Sequence, residues 1–175
     1  LAMPHPGLFL IDLCALQSRV GRDQFFNSKI YYVGKLPIHT NCLPLVAKEV
    51  LDVIHAVRGE IKKVAVLDLD NTLWGGVIGD DGLAGIQIGE LGLGHAFTEF
   101  QAWLKELKKR GVLLAVCSKN TESTAREPFE KHPEMVLRME DFSIFVANWE
   151  DKAGNIRMIR DTLNLGMDSF VFIDD

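Results

Sequence analysis

Apolar residues fall into two regimes along this chain. From Ile61 onward, uninterrupted apolar runs alternate with stretches in which apolar residues recur every three or four positions. The strand-like stretches built on them are Ile61–Leu67, whose apolar run starts at Val64 after Lys62-Lys63, Val112–Cys117, Phe142–Ala147, broken only at Ser143, and Phe170–Ile173. Their brevity and lack of alternation predict parallel strands buried on both faces. Between them, Phe97, Phe100, Trp103, Leu104 and Leu107 line one face of a helix that Gly111 closes. Further helices are predicted from near Thr121 to about His132 and over Ala153–Leu163. Strands alternating with helices imply an α/β fold with a doubly wound parallel sheet. The stretch between Trp74 and Gly89 has two short apolar runs, Val77-Ile78 and Ile86-Gln87-Ile88, around Asp80-Asp81-Gly82. It predicts a small β-flap beside the sheet.

Residues 1–60 follow another rhythm, and a first unit, 1–60, is set apart from a second, 61–175. Leu8–Ile11 suggests a short strand, and Asp12 the cap of a brief helix. Val20–Thr40 has little periodicity and is expected to be mostly irregular. Pro44 opens an amphipathic helix with Leu45, Val46, Val50, Val53, Ile54 and Val57 on one stripe, ended by Gly59. Lys48, Glu49, Asp52 and His55 lie off that stripe as solvated positions. Without an initiator Met at Leu1, and with Asp175 directly following an apolar run, the chain is expected to be a piece of a longer protein, its first unit the end of an upstream domain.

Composition narrows the function only mildly. A formal net charge of −5 speaks against general nucleic-acid binding. Cys14, Cys42 and Cys117 are odd in number and lack C-x-x-C spacing, which disfavours zinc sites and disulfides and favours a reducing, cytoplasmic setting. No apolar run reaches the roughly 18–20 residues of a membrane span, so no membrane role is expected.

The chemistry concentrates at the ends of the predicted strands. Asp68 and Asp70 end the first strand and, two apart, point to one side. That side is the crevice at the carboxyl ends, where open α/β sheets bind ligands. Two carboxylates so close repel unless a proton or cation intervenes, and Mg²⁺ is the natural partner. A D-x-D turn accepting backbone donors would explain the carboxylates alone, but not the Thr72-Leu73-Trp74-Gly75-Gly76 that follows. Ser118 ends the second strand and can donate to a phosphoryl oxygen. Lys152 precedes a helix and offers positive charge, and Asp174-Asp175 ends the fourth strand, placed to complete a metal site with Asp68. Strict alternation turns Cys117 away from a site that Ser118 faces. Trp74 and Trp149 either wall a pocket or pack in the core.

D-L-D-N-T-L at 68–73, with Ser118, Lys152 and Asp174-Asp175 in order after it, resembles the four motifs of the haloacid-dehalogenase superfamily. N-T-L-W-G-G-V-I-G-D-D-G-L at 71–83, L-A-V-C-S-K-N at 114–120, E-P-F-E-K-H-P-E-M at 127–135, N-W-E-D-K at 148–152 and L-N-L-G-M-D-S-F-V-F-I-D-D at 163–175 are similar to its FkbH-like branch. The resemblance implies a capless Rossmann-like domain in which Asp68 is the phosphoryl-accepting nucleophile and Asp70 the general acid/base. It further implies Ser118 and Lys152 as phosphoryl-group ligands. The Mg²⁺ would be held by Asp68, Asp175, Asp174 and the backbone carbonyl of Asp70. Asn71, Asn120 and Trp74 are the accompanying candidates for substrate and phosphate binding. It also implies transfer of a glyceryl-type acyl group from a phosphorylated three-carbon acid to an acyl carrier protein, the acyl group resting on Cys117. Carrier docking would need a basic patch, for which Lys105, Lys108, Lys109 and Arg110 are candidates. A plain phosphomonoesterase acting on a small molecule or phosphoprotein, and a non-catalytic binding module, are the alternatives. Pro37-Ile38-His39 before the 44–57 helix is reminiscent of the end of an SGNH-type hydrolase fold. Leu36 stands where that pattern has Asp, so His39 is assigned no role.

Overall fold

The computed structural model describes residues 8–175, in two compact units that divide after Ile61. The first unit is helical: α1 (Leu13–Val20), α2 (Arg22–Phe25), α3 (Ser28–Gly34) and α4 (Leu43–Val57). Asp12 Oδ1 accepts the Ala15 N–H at 2.9 Å, the cap its position implies. Two expectations fail here. Leu8–Ile11 forms no strand, since no partner strand among the described residues of this unit offers it a ladder. The supposedly irregular 20–40 stretch contains two short helices, one capped by Asn27 Oδ1 on the Ile30 N–H at 3.1 Å. His39 Nδ1 accepts the Asn41 N–H at 3.1 Å and so caps the 3-10 turn Thr40–Cys42, a structural task. Leu16, Phe25 and Cys42 form this unit's small core.

The second unit is a four-stranded parallel sheet in the order β3-β2-β1-β4, with β1 (Val64–Leu67), β2 (Leu113–Ser118), β3 (Phe142–Ala147) and β4 (Phe170–Ile173). Helices α5 (Ile78–Gly85), α6 (Gly92–Lys109), α7 (Glu122–Lys131) and α8 (Lys152–Leu163) connect them. The strand order reverses around β1, the switch point where such sheets bind ligands. Period-two alternation splits the interior into two cores. Ala65, Leu67, Leu114 and Val116 pack with Leu104 of α6 and Phe129 of α7. Val64, Val66, Ala115 and Cys117 pack with Ile159 of α8.

The expected β-flap is a short helix instead. Gly82 (φ +64°) kinks α5 in its middle, and Asp81 Oδ2 accepts the Val77 N–H at 2.8 Å to start it. Only the neck is β-like: Gly75 and Gln87 exchange N–H···O bonds of 3.0 and 2.8 Å. Asp80-Asp81-Gly82 therefore serves a helix start and a kink, not a hairpin turn. Among the described residues only this excursion separates β1 from α6, and only a short loop separates β3 from α8, so neither connection holds an inserted domain.

Helix α6 meets the loop before it backbone to backbone. A Cβ on Gly94 would lie 2.9 Å from the Ile88 carbonyl carbon and 3.1 Å from the Gly89 nitrogen. Main chain cannot give way as a side-chain tip can, so Gly94→Ala should lose about 1–3 kcal/mol despite its better helix propensity. Urea denaturation of the variant checks this; a midpoint at or above wild type would show that the loop relaxes.

Candidate active site

Register brings the chemistry together. Leu67 pairs with Val116 on one side and Ile173 on the other, so the next residues, Asp68, Cys117 and Asp174, emerge side by side at the same sheet edge. The Asp68 N–H still donates to the Ile173 carbonyl at 3.0 Å, continuing the ladder into the site. Lys152, first residue of α8, reaches across with Nζ 2.7 Å from Asp68 Oδ2 and 3.0 Å from Asp174 Oδ2. Its helix starts there because Asp151 caps the Gly154 N–H at 2.8 Å.

The carboxylates are electrostatically distinct. Burial works to raise the Asp68 pKa, but the hydrogen bond from Lys152, with Asp174 and Ser118 as further polar neighbours, outweighs it and leaves the carboxyl below its ordinary value. Asp174 moves up, through its own burial and through the neighbouring Asp68 carboxylate. Burial alone would lower the Lys152 pKa, but the two carboxylates hold it raised and the ammonium charged. Asp68 is thus the more acidic member of the pair.

One feature of Asp68 points beyond the protein. Its Oδ1 is buried and accepts no hydrogen bond. A carboxylate oxygen in that position is costly without a cation or incoming electrophile. Asp68, Asp174 and Asp175 each offer an oxygen within 4.8 Å of the others. All-oxygen donors with net negative charge suit a hard divalent cation such as Mg²⁺, so these residues fit one.

Asp70 sits apart from that cluster in a cradle of donors. Its Oδ1 accepts from Trp74 Nε1 at 3.0 Å and from the Ile78 N–H at 2.9 Å, and its Oδ2 from Asn120 Nδ2 at 3.0 Å. Trp74, Asn120 and Asn71, the candidates for substrate and phosphate binding, each make hydrogen bonds within the protein, and Asn120 also lines the cleft beside Asp70. Trp74 is wholly buried, its ring edge-on to Phe129 at 5.5 Å. Asn120 is buried, bonding Asp70 through one amide atom and capping the Thr121 N–H through the other. Asn71, in left-handed backbone (φ +54°), accepts the Gly76 N–H at 2.9 Å and pins the turn. Beside Asp70 opens a cleft of about 360 Å³ lined by Gly79, Lys119, Thr121 and Trp149. Trp149 is 73% exposed, so it stands at that cleft and not in the core.

Cys117 lies close to Asp68 yet is sealed. Asp68 continues the parity of Val64 and Val66 and therefore shares the α8 side with Cys117, while buried Ser118 is the last residue of β2 and helps to lower the Asp68 pKa. Alternation thus does not carry Cys117 away, contrary to expectation. Its Sγ faces the Lys152 carbonyl oxygen at 3.7 Å with no exposed surface, and burial pushes the thiol pKa up to about 11. That environment disagrees with a role as acyl-carrying thiolate. At pH 8 only about a thousandth of such a thiol is ionised. An aromatic disulfide reagent should label exposed Cys14 promptly and spare Cys117 until denaturant is added; mass mapping of the labelled peptides checks this.

The basic cluster at the end of α6 is also engaged internally. Lys108 Nζ bonds Asp141 Oδ1 at 2.8 Å, Lys105 Nζ bonds the Val136 carbonyl at 3.0 Å, and Lys109 Nζ bonds Glu106 at 2.6 Å.

A parallel sheet with an acidic pair after its middle strand, met by Ser118, Lys152 and a second acidic pair from neighbouring strand and helix ends, defines a haloacid-dehalogenase-type α/β domain. Residues 1–55 match the family described as FkbH, N-terminal domain. Over 97% of its length the chain is similar, at 51% identity and a TM-score of 0.91, to a solved structure of the N-terminal part of the protein BF1531 from Bacteroides fragilis. That structure is described as containing a phosphatase domain complexed with Mg, and the present chain covers 45% of it. No curated protein matches the chain. The chain is FkbH-like, with a haloacid-dehalogenase-type domain over its second unit. No helix among the described residues is long and apolar enough to cross a membrane.

Proposed function

We propose that the second unit is a Mg²⁺-dependent phosphatase working through an aspartyl phosphate. The observation that carries this is Asp68: ionised, held through Oδ2 by Lys152, with Oδ1 buried and unpartnered. Asp68 attacks phosphorus, forming an acyl-phosphate bond as the bond to the leaving oxygen breaks. Asp70 gives a proton to that oxygen, then takes one from the water that hydrolyses the aspartyl phosphate. Lys152 and Ser118 orient the phosphoryl oxygens and balance their charge. Asp68, Asp174, Asp175 and the Asp70 carbonyl would hold Mg²⁺, which when bound supplies further positive charge against the phosphoryl group. The solved relative's bound Mg supports a Mg²⁺ requirement here.

A finer reading adds acyl transfer: a glyceryl-type group from a phosphorylated three-carbon acid passes to an acyl carrier protein. The FkbH likeness supports it, and so does a crevice open beside exposed Trp149, which suits a phosphate presented on a large partner. The buried thiol of Cys117 argues that the acyl group does not rest there. The test is phosphate release from 1,3-bisphosphoglycerate with Mg²⁺, with and without carrier protein, and mass spectrometry of the carrier. A glyceryl adduct supports transfer; phosphate release with an unmodified carrier leaves a plain phosphomonoesterase. No release from this or any aryl phosphate rejects the enzyme reading. An adduct that persists in Cys117→Ala would place the transfer elsewhere than on that sulfur.

A further inference from the structure

Asp70 is bound asymmetrically, and the asymmetry has a chemical meaning. Oδ1 has two donors, the Trp74 indole N–H at 3.0 Å and the Ile78 backbone N–H at 2.9 Å. A carboxylate oxygen offers about two in-plane lone-pair directions, so Oδ1 is saturated. Oδ2 has one donor, Asn120 Nδ2 at 3.0 Å, and keeps one direction free. The three donors come from different segments: the loop after β1, the start of α5 and the loop after β2. Together they fix the plane of the carboxyl without any closing domain. Trp74 itself cannot move aside, since it is wholly buried and edge-on to Phe129 at 5.5 Å.

We propose that Trp74 is the positioning residue for the acid/base step, locking Asp70 Oδ1 so that the proton is exchanged only at Oδ2. This rests on the phosphatase reading above, in which Asp70 is the acid and base. In the forward step the proton leaves Oδ2 for the oxygen whose bond to phosphorus breaks. In the hydrolytic step a water proton returns to Oδ2 as the water oxygen bonds phosphorus. Asn120 stays bonded to Oδ2 throughout and steers its free lone pair toward the crevice.

The consequence is a leaving-group signature. A 4-nitrophenyl phosphate departs without needing a proton, whereas an alkyl phosphate needs one, and kcat/KM reports the chemistry through departure of the leaving group. In full-length chain with Mg²⁺, Trp74→Phe keeps an aromatic ring on Phe129 but removes the donor to Oδ1. Its aryl-to-alkyl ratio of kcat/KM should rise about tenfold, the scale of one misplaced hydrogen bond. Asn120→Ala removes the donor on Oδ2 and should raise the same ratio. Asp70→Asn calibrates the scale, because it removes the proton altogether and should raise the ratio most.

A second measurement does not depend on turnover. The indole N–H resonance lost in Trp74→Phe should shift in Asp70→Asn, while those of Trp103 and Trp149 stay in place. Equal losses on both substrates in Trp74→Phe, with the Asp70→Asn signature intact, would reduce Trp74 to a packing residue and overturn the proposal. An Asp70→Asn variant with no signature would instead remove the acid/base role and the phosphatase mechanism with it. An unmoved indole resonance would overturn the hydrogen bond itself.

Discussion

Asp68→Asn should abolish phosphate release, lowering kcat by at least about a thousandfold, because an amide oxygen cannot become the covalent phosphoryl carrier. The substitution is nearly isosteric, and the site's geometry explains why its structural cost is small. Asn keeps an oxygen for Lys152 Nζ, now 2.7 Å from Oδ2, and relieves the crowding with Asp174. Loss of a charge-assisted bond and relief of like-charge repulsion oppose one another, so melting temperature should move by only a few degrees. Turnover of 4-nitrophenyl phosphate with Mg²⁺, read beside a thermal melt, separates the two. A folded variant retaining a tenth of wild-type activity would reject covalent catalysis at this carboxylate.

Phe129→Ala should be the most destabilising single change in the second unit, at about 3–5 kcal/mol, a large part of the stability of an ordinary domain. The ring is 1% exposed and meets three others: Trp74 at 5.5 Å, Phe142 at 5.0 Å and Phe145 at 5.9 Å. All three contacts are steeply tilted, the geometry that adds to plain area burial. The cavity would open directly behind Trp74, so the variant should also lose activity beyond its unfolded fraction. Urea denaturation checks the first statement, and kcat corrected for folded protein checks the second. A loss below about 1 kcal/mol would mean that α7 collapses inward to fill the space.

The sheet was legible because its signals are local. Four apolar runs, each too short for a helix and bounded by polar residues, could be little else. The crevice was legible for the same reason: Asp68, Ser118, Lys152 and Asp174 each abut a strand end or helix start, and parallel register gathers such positions on one edge. The stretch 78–85 misled because Gly82 suits both a turn and a kink, and flanking isoleucines fit either period. Asn27 ahead of Ser28-Lys29-Ile30 was a readable cap signal for α3, obscured by the aromatics around it. What spacing could not disclose is the support of Asp70. Asn120 lies 50 residues away from it, and Trp74, four away, turns inward to pack edge-on with Phe129 of α7. Cys117 shows the limit of alternation: its parity was readable, but not that Asp68 shares it.

The neck at Gly75 and Gln87 has a bearing on how such domains diversify. Two backbone bonds, 3.0 and 2.8 Å, cinch the excursion where it leaves and rejoins the body of the fold. Ile78 touches Asp70 just past that cinch, whereas the kink at Gly82 lies further out, with open space around it. Extra sequence spliced at the kink would leave the aspartates undisturbed and alter only which molecules gain entry. The excursion is in that sense a grafting port, where selectivity can be rewritten without reopening the question of catalysis.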